Sequence, residues 1–261
     1  MKKNYIGLWS LLAVALAVII VISCLDHPSV FGVELRSSGI ADKLTAACEP
    51  EIAAEEAAAA DSAVEVKPEK IELDTAAQNI LIIGDSMLEG LNPRLAAYAK
   101  KNGHTLHSVI WYSSTTKYFG ESDTLKVFIK KYNPSFIFLS LGGNELFVRD
   151  IIEQRDKFVK KILADIGDIP YLWIGPPNWK KDTGINELVQ KNVPKGNFFL
   201  SDGMHFDRQK DGAHPTHASA ALWMDSIARW MPLHGSHPIR MEFPDEPKGR
   251  PAEVVVLQPL K

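Results

Sequence analysis

Residues 79–87 read Asn-Ile-Leu-Ile-Ile-Gly-Asp-Ser-Met. Four consecutive apolar residues without polar alternation, Ile80 to Ile83, fit a strand covered on both faces, as in a parallel sheet flanked by helices. Gly84 and Asp85 end the run in a turn, which leaves Ser86 at the strand's carboxyl end with a helix-forming stretch behind it. Outward from this strand the same pattern repeats between residues 78 and 232. Short β-branched or aromatic runs occur at Leu106–Trp111, Ser135–Leu141, Tyr171–Ile174 and Asn197–Leu200. Amphipathic stretches separate them, with helices expected at Pro93–Asn102, Asp123–Tyr132, Arg149–Ile166 and Thr216–Trp230. Five parallel strands with right-handed helical crossovers make a three-layer α/β/α sandwich. In such a sheet reactive groups gather at the carboxyl ends of the strands.

Three clusters fall on that edge. Ser86 sits where a nucleophile is displayed, and the positive end of the following helix favours an anion forming beside it. Asp-Ser before a helix is also ordinary capping chemistry, so the tetrapeptide by itself leaves both readings open. After the third strand, Leu141-Gly142-Gly143-Asn144-Glu145 places two glycines and an amide side chain on the same edge. Asn144 is a neutral donor suited to an oxyanion, and equally a turn or cap residue. Before the last helix, Asp211-Gly212-Ala213-His214-Pro215-Thr216 sets a carboxylate three residues from an imidazole it can orient. The same spacing occurs in Asp202-Gly203-Met204-His205. The second pair is the better candidate, because Pro215 and Thr216 open a helix and pin His214 at its start, whereas Asp202 follows a strand and suits a turn. His217 reads as a surface residue, and no His, Cys or carboxylate grouping has metal-ligand spacing.

In that order, across residues 79–231, Gly84-Asp85-Ser86, Gly142-x-Asn144-Glu145 and Asp211-x-x-His214 resemble the three best-defined blocks of the SGNH (GDSL-like) hydrolases. The resemblance implies a flavodoxin-like sheet of strand order 2-1-3-4-5, with Ser86 as nucleophile, His214 as base and Asp211 as its partner. It implies oxyanion donors from the Ser86 amide and Asn144, and hydrolysis of esters, often acetyl groups on carbohydrates, without a cofactor. The chain departs from the family's pattern after the second strand, where a glycine normally offers a further backbone N–H. Aligned on Ser114-Thr115-Thr116, this chain has Ser114 at that position. Glu145 also stands where aspartate is commoner.

The remaining sequence consists of appendages. Lys2 and Lys3 precede an uncharged stretch from Tyr5 to Leu25, long enough to cross a hydrocarbon core of roughly 30 Å as a helix with its N-terminus inside. Residues 1–25 are therefore expected to be an uncleaved anchor, ahead of a lipoprotein signal acylated at Cys24 and of simple cleavage. Residues 26–77 read as an exported tether. Its 49–74 stretch holds nine acidic and two basic residues and a run of four alanines, which suits a solvated spacer. Residues 233–261 read as an irregular Pro-rich extension, ending in Val254-Val255-Val256-Leu257 as an added edge strand or a flap. A net charge of -3 argues against a nucleic-acid partner, and Cys24 and Cys48 are too few for a disulfide framework.

The expected protein is a membrane-anchored serine esterase on the extracytoplasmic side, acting on an ester-bearing small molecule or an O-acylated envelope glycan. An acyltransferase would keep every motif and differ in its acceptor. A catalytically idle glycan-binding protein would have no reason to hold the Ser, Asn, Asp and His set together. Trp111, Tyr112 and Trp179 lie on or beside loops of the active edge, as sugar-stacking rings or as hydrophobic cover.

Overall fold

The computed structural model describes residues 72–259 and, separately, the backbone of a two-residue antiparallel ladder pairing Ser29–Val30 with Val33–Glu34. The chain divides into two units, Met1–Glu69 and Lys70–Lys261. The expected membrane segment, Cys24 and most of the tether lie outside the described residues. Among those described, no helix is long and apolar enough to cross a membrane.

The second unit is built on one parallel sheet. Its strands are β1 (Asn79–Gly84), β2 (Thr105–Trp111), β3 (Phe136–Ser140), β4 (Tyr171–Ile174), β5 (Phe198–Phe199) and β6 (Glu253–Leu257), ordered β5-β4-β3-β1-β2-β6. The helices are α1 (Leu88–Asn102), α2 (Thr116–Glu121), α3 (Thr124–Tyr132), α4 (Ile151–Ile166), α5 (Ile185–Asn192) and α6 (His217–His234). The apolar run in β1 is split by the pleat. Ile80 and Ile82 join Leu91, Leu95, Trp223 and Ile227 under α1 and α6, while Leu81 and Ile83 join Phe119, Phe128, Val159 and Leu188 under α2 to α5. Two cores on opposite faces of one sheet give the expected three layers, and they explain why β1 has no polar alternation.

The sheet has six strands rather than five. Val254–Leu257 is a strand and not a flap: it runs parallel to β2, with Val255 opposite Val109 and Leu257 opposite Trp111. The Pro-rich segment before it is irregular, yet it is packed down. Arg94 donates to the carbonyls of Glu246 and Pro247, and Asn102 exchanges hydrogen bonds with the backbone of Glu242. Arg94 also pairs with Asp225 at 2.7 Å in a buried contact shared by the Tyr98 hydroxyl. The extension of residues 233–261 therefore belongs to the same domain as residues 78–232, as far as residue 259. Helix α1 begins at Leu88, five residues before the expected start, and runs through Pro93. Burial of Leu88 and Leu91 outweighs the hydrogen bond that the proline cannot make.

Candidate active site

Gly84 brings β1 and β3 together at their carboxyl ends. A Cβ there would lie 1.9 Å from the Ser140 carbonyl oxygen, the acceptor of the Asp85 amide at 3.1 Å. The chain then turns through Asp85 and Ser86 into α1. Asp85 is completely buried and accepts the Met87 N–H at 3.0 Å. Burial pushes its carboxyl up to about 6, against the pull of the Met87, Gly143 and Gly142 amides and of His214. Its side chain lies against Gly143, where a Cβ would sit 3.4 Å from Oδ2, so the Ser86 turn packs on the Gly142–Gly143 turn. Gly142 has φ +129 and a Cβ there would meet Ile185 and Pro176, so this turn requires glycine.

Ser86 is not a cap. Its Oγ lies 2.8 Å from Nε2 of His214, and Nδ1 of His214 lies 2.6 Å from Oδ2 of Asp211. With Nδ1–H donating to Asp211, the ring presents the Nε2 lone pair to the serine hydroxyl. Asp211 is held as a carboxylate at about 2, first by the amide of Ala213 and then by the side chain and amide of His214. Those two amides donate to its Oδ1 at 2.9 and 3.0 Å. Thr216 caps α6 by accepting the Ser219 amide at 3.2 Å, which fixes the loop just beyond His214. The other Asp-Gly-x-His pair does not assemble. His205 is 91% exposed and its nearest carboxylate is Asp207 at 3.5 Å, not Asp202. His217 is exposed on the first turn of α6.

Asn144 donates from Nδ2 to the carbonyl of Ser114 at 2.9 Å, which joins the turn after β3 to the loop after β2 and leaves its second amide proton without an intramolecular acceptor among the described residues. The amide of Ser86 likewise has none. Ser114 corrects the sequence reading. Its N–H closes a turn onto the Trp111 carbonyl at 3.1 Å, and the residue is fully buried, so its amide is already committed. Its neighbour Ser113 has φ +58, the conformation that favours glycine, and an amide with no acceptor among the described residues. The glycine-like position lies one residue earlier than the alignment placed it.

Three supporting residues were not assigned roles from sequence. Glu145 is fully buried. It accepts the amide of Thr116 at 3.1 Å and the Thr116 hydroxyl, with Nε of Arg155 at 3.6 Å. Burial raises it to about 7, although the Thr116 hydrogen bonds and Arg155 pull it down. Arg208 donates to the carbonyls of Pro177 at 3.0 Å, Asn178 at 2.9 Å and Ala213 at 2.8 Å, clasping the His214 loop to the loop after β4. Phe147 projects from the turn after β3. Of the three aromatics expected at this edge, Trp111 is buried in the core and donates to Gln258, so it is not a stacking surface. Tyr112 donates its hydroxyl to Glu89, and Trp179 donates Nε1 to the Gly143 carbonyl at 3.1 Å. Among the described residues, no three or more His, Cys, Asp or Glu side chains gather as a metal site.

No family model matches the chain, and no curated protein matches it. Among solved structures it is similar to the psychrotrophic esterase EstA from Pseudoalteromonas sp., with 16% identity over 59% of this chain and 98% of that one and a TM-score of 0.42. TesA is 19% identical over 60% and 98% of the two chains with a TM-score of 0.44. A Clostridium thermocellum family 3 carbohydrate esterase is 17% identical over 59% and 94% with a TM-score of 0.44. Likenesses this slight carry nothing about chemistry, which rests on the distances above.

Proposed function

We propose that the protein is a serine esterase of the SGNH type that removes ester-linked acyl groups, acetyl above all, from a carbohydrate of the cell envelope. The observation that carries the chemistry is the unbroken chain from Asp211 through His214 to Ser86 at the carboxyl edge of the sheet. In the reaction, Nε2 of His214 takes the Ser86 proton as Oγ attacks the ester carbonyl. Asp211, held ionised, stabilises the imidazolium so formed. The tetrahedral oxyanion is met by the amide of Ser86 and the second amide proton of Asn144, with the Ser113 amide as the third donor. His214 returns the proton to the leaving alcohol, and water activated by the same nitrogen releases the acid from Ser86.

The envelope setting rests on the apolar segment and acidic tether at the N-terminus of the sequence. The test is turnover of a chromogenic acetyl ester by the full chain, with and without a free sugar. Acetate equal to the alcohol released supports a hydrolase. A deficit of acetate matched by acetylated sugar makes the protein a transferase, and absence of turnover refutes the reading.

A further inference from the structure

Large apolar residues on the described surface are few, and one of them stands at the active edge. Phe147 lies three residues beyond Asn144 and is 59% exposed. Its ring meets Trp179 edge-on, with centroids 5.4 Å apart and planes at 64°. Trp179 is anchored by its indole hydrogen bond to the Gly143 carbonyl, and a Cβ on Gly143 would sit 3.3 Å from the Met87 side chain, next to the nucleophile. Lys180 places its ammonium 4.4 Å from the Phe147 centroid and 4.9 Å from that of Trp179. Among the described residues no carboxylate lies within salt-bridge distance of it. Arg208 holds the carbonyls of Pro177 and Asn178 against that of Ala213, so this corner is fixed relative to His214.

We infer that Phe147, Trp179 and Lys180 form a subsite for an acidic sugar, a ring carrying a carboxylate, adjoining the acylated residue of the substrate. The inference rests on the esterase reading and names its substrate more narrowly. The exposed Phe147 ring, propped edge-on by Trp179, offers a flat apolar face on which the C–H face of a pyranose stacks. The ammonium, without a protein counter-ion, supplies the charge that a carboxylate on the same ring would meet. A neutral sugar would use only the rings. An apolar acyl tail would leave the ammonium without a counter-ion.

The test compares kcat/KM for an acetyl ester on a methyl glucoside with that on the matching methyl glucuronoside, in wild type, Lys180→Gln and Phe147→Ala, with p-nitrophenyl acetate and p-nitrophenyl octanoate as references in wild type and Phe147→Ala. Wild type should favour the acidic sugar by about five- to tenfold, through KM and less so at high salt. Lys180→Gln should bring the acidic-to-neutral ratio to about one. Phe147→Ala should raise KM on both sugars. Equal use of the two sugars by wild type, or a ratio unmoved by Lys180→Gln, overturns the subsite. So does a wild-type preference for long over short acyl chains that Phe147→Ala abolishes, since that would make the corner an acyl groove. Wild type inactive on p-nitrophenyl acetate as well as on the sugars would instead overturn the esterase reading beneath it.

Discussion

Replacing Glu145 by glutamine should flatten the pH dependence of stability above pH 6. The wild-type carboxyl is fully buried and raised from an ordinary 4.5 to about 7. A group whose folded value lies above its unfolded one stabilises the fold fully at low pH, here below about 4.5, and that stability is lost as pH rises through 7. Its contribution is on the order of 1 kcal/mol at pH 6 and essentially nil at pH 8.5. In a domain of this size that corresponds to a fall in Tm of a few °C. Asp85 acts with the same sign but in a lower window, between 3.8 and about 6, so little of its effect falls within the chosen range. Glutamine can keep an acceptor for the Thr116 amide and hydroxyl, while its amide nitrogen occupies the place of Oε2, which has no partner. The Arg155 attraction acts on the ionised carboxylate only and is already contained in the value of about 7, so its loss adds no separate pH dependence. Thermal melts of both proteins at pH 6 and 8.5 should therefore converge or cross, the variant gaining on wild type by those few °C. Other titrating groups, including the buried His104, are common to both proteins and cancel. Parallel curves over this range would show that Glu145 does not titrate there and refute the reasoning.

The duplicated Asp-Gly-x-His spacing offers an internal control: His214→Ala should lose several orders of magnitude in kcat, whereas His205→Ala, exposed and away from Ser86, should lose little. Steady-state kinetics of the two variants decides it, and the reverse order would mean the wrong loop carries the base. Asn144→Ala should cut kcat by about a hundredfold with KM nearly unchanged, because the amide acts where charge develops. A loss expressed in KM alone, with kcat unchanged, would remove Asn144 from the oxyanion site.

Much of this was legible in the sequence because the decisive residues are local to one strand end. The unbroken apolar run of β1 announces two buried faces, and Ser86, Asn144 and His214 each follow a strand or precede a helix. What escaped depends on distant pairing or on backbone angle. β6 finds its partner in β2, far back along the chain, and the prolines before it disguise that pairing. Helix α2 is six residues long and contains Gly120, whose missing side chain lets it lie against Phe158, so it shows no amphipathic period. Ser114 was misplaced by one residue because two adjacent serines look alike in sequence, and only φ distinguishes them. Arg208 reads as an ordinary charged loop residue, since its three acceptors are backbone carbonyls that carry no sequence signature.

The central claim is that His214 activates Ser86, and the most direct measurement is covalent trapping. A fluorophosphonate probe added to the full chain should modify one serine, read by peptide mass spectrometry as Ser86. The rate should collapse in His214→Ala but not in His205→Ala. Labelling at another serine, or a rate at Ser86 unchanged by loss of His214, would contradict the account.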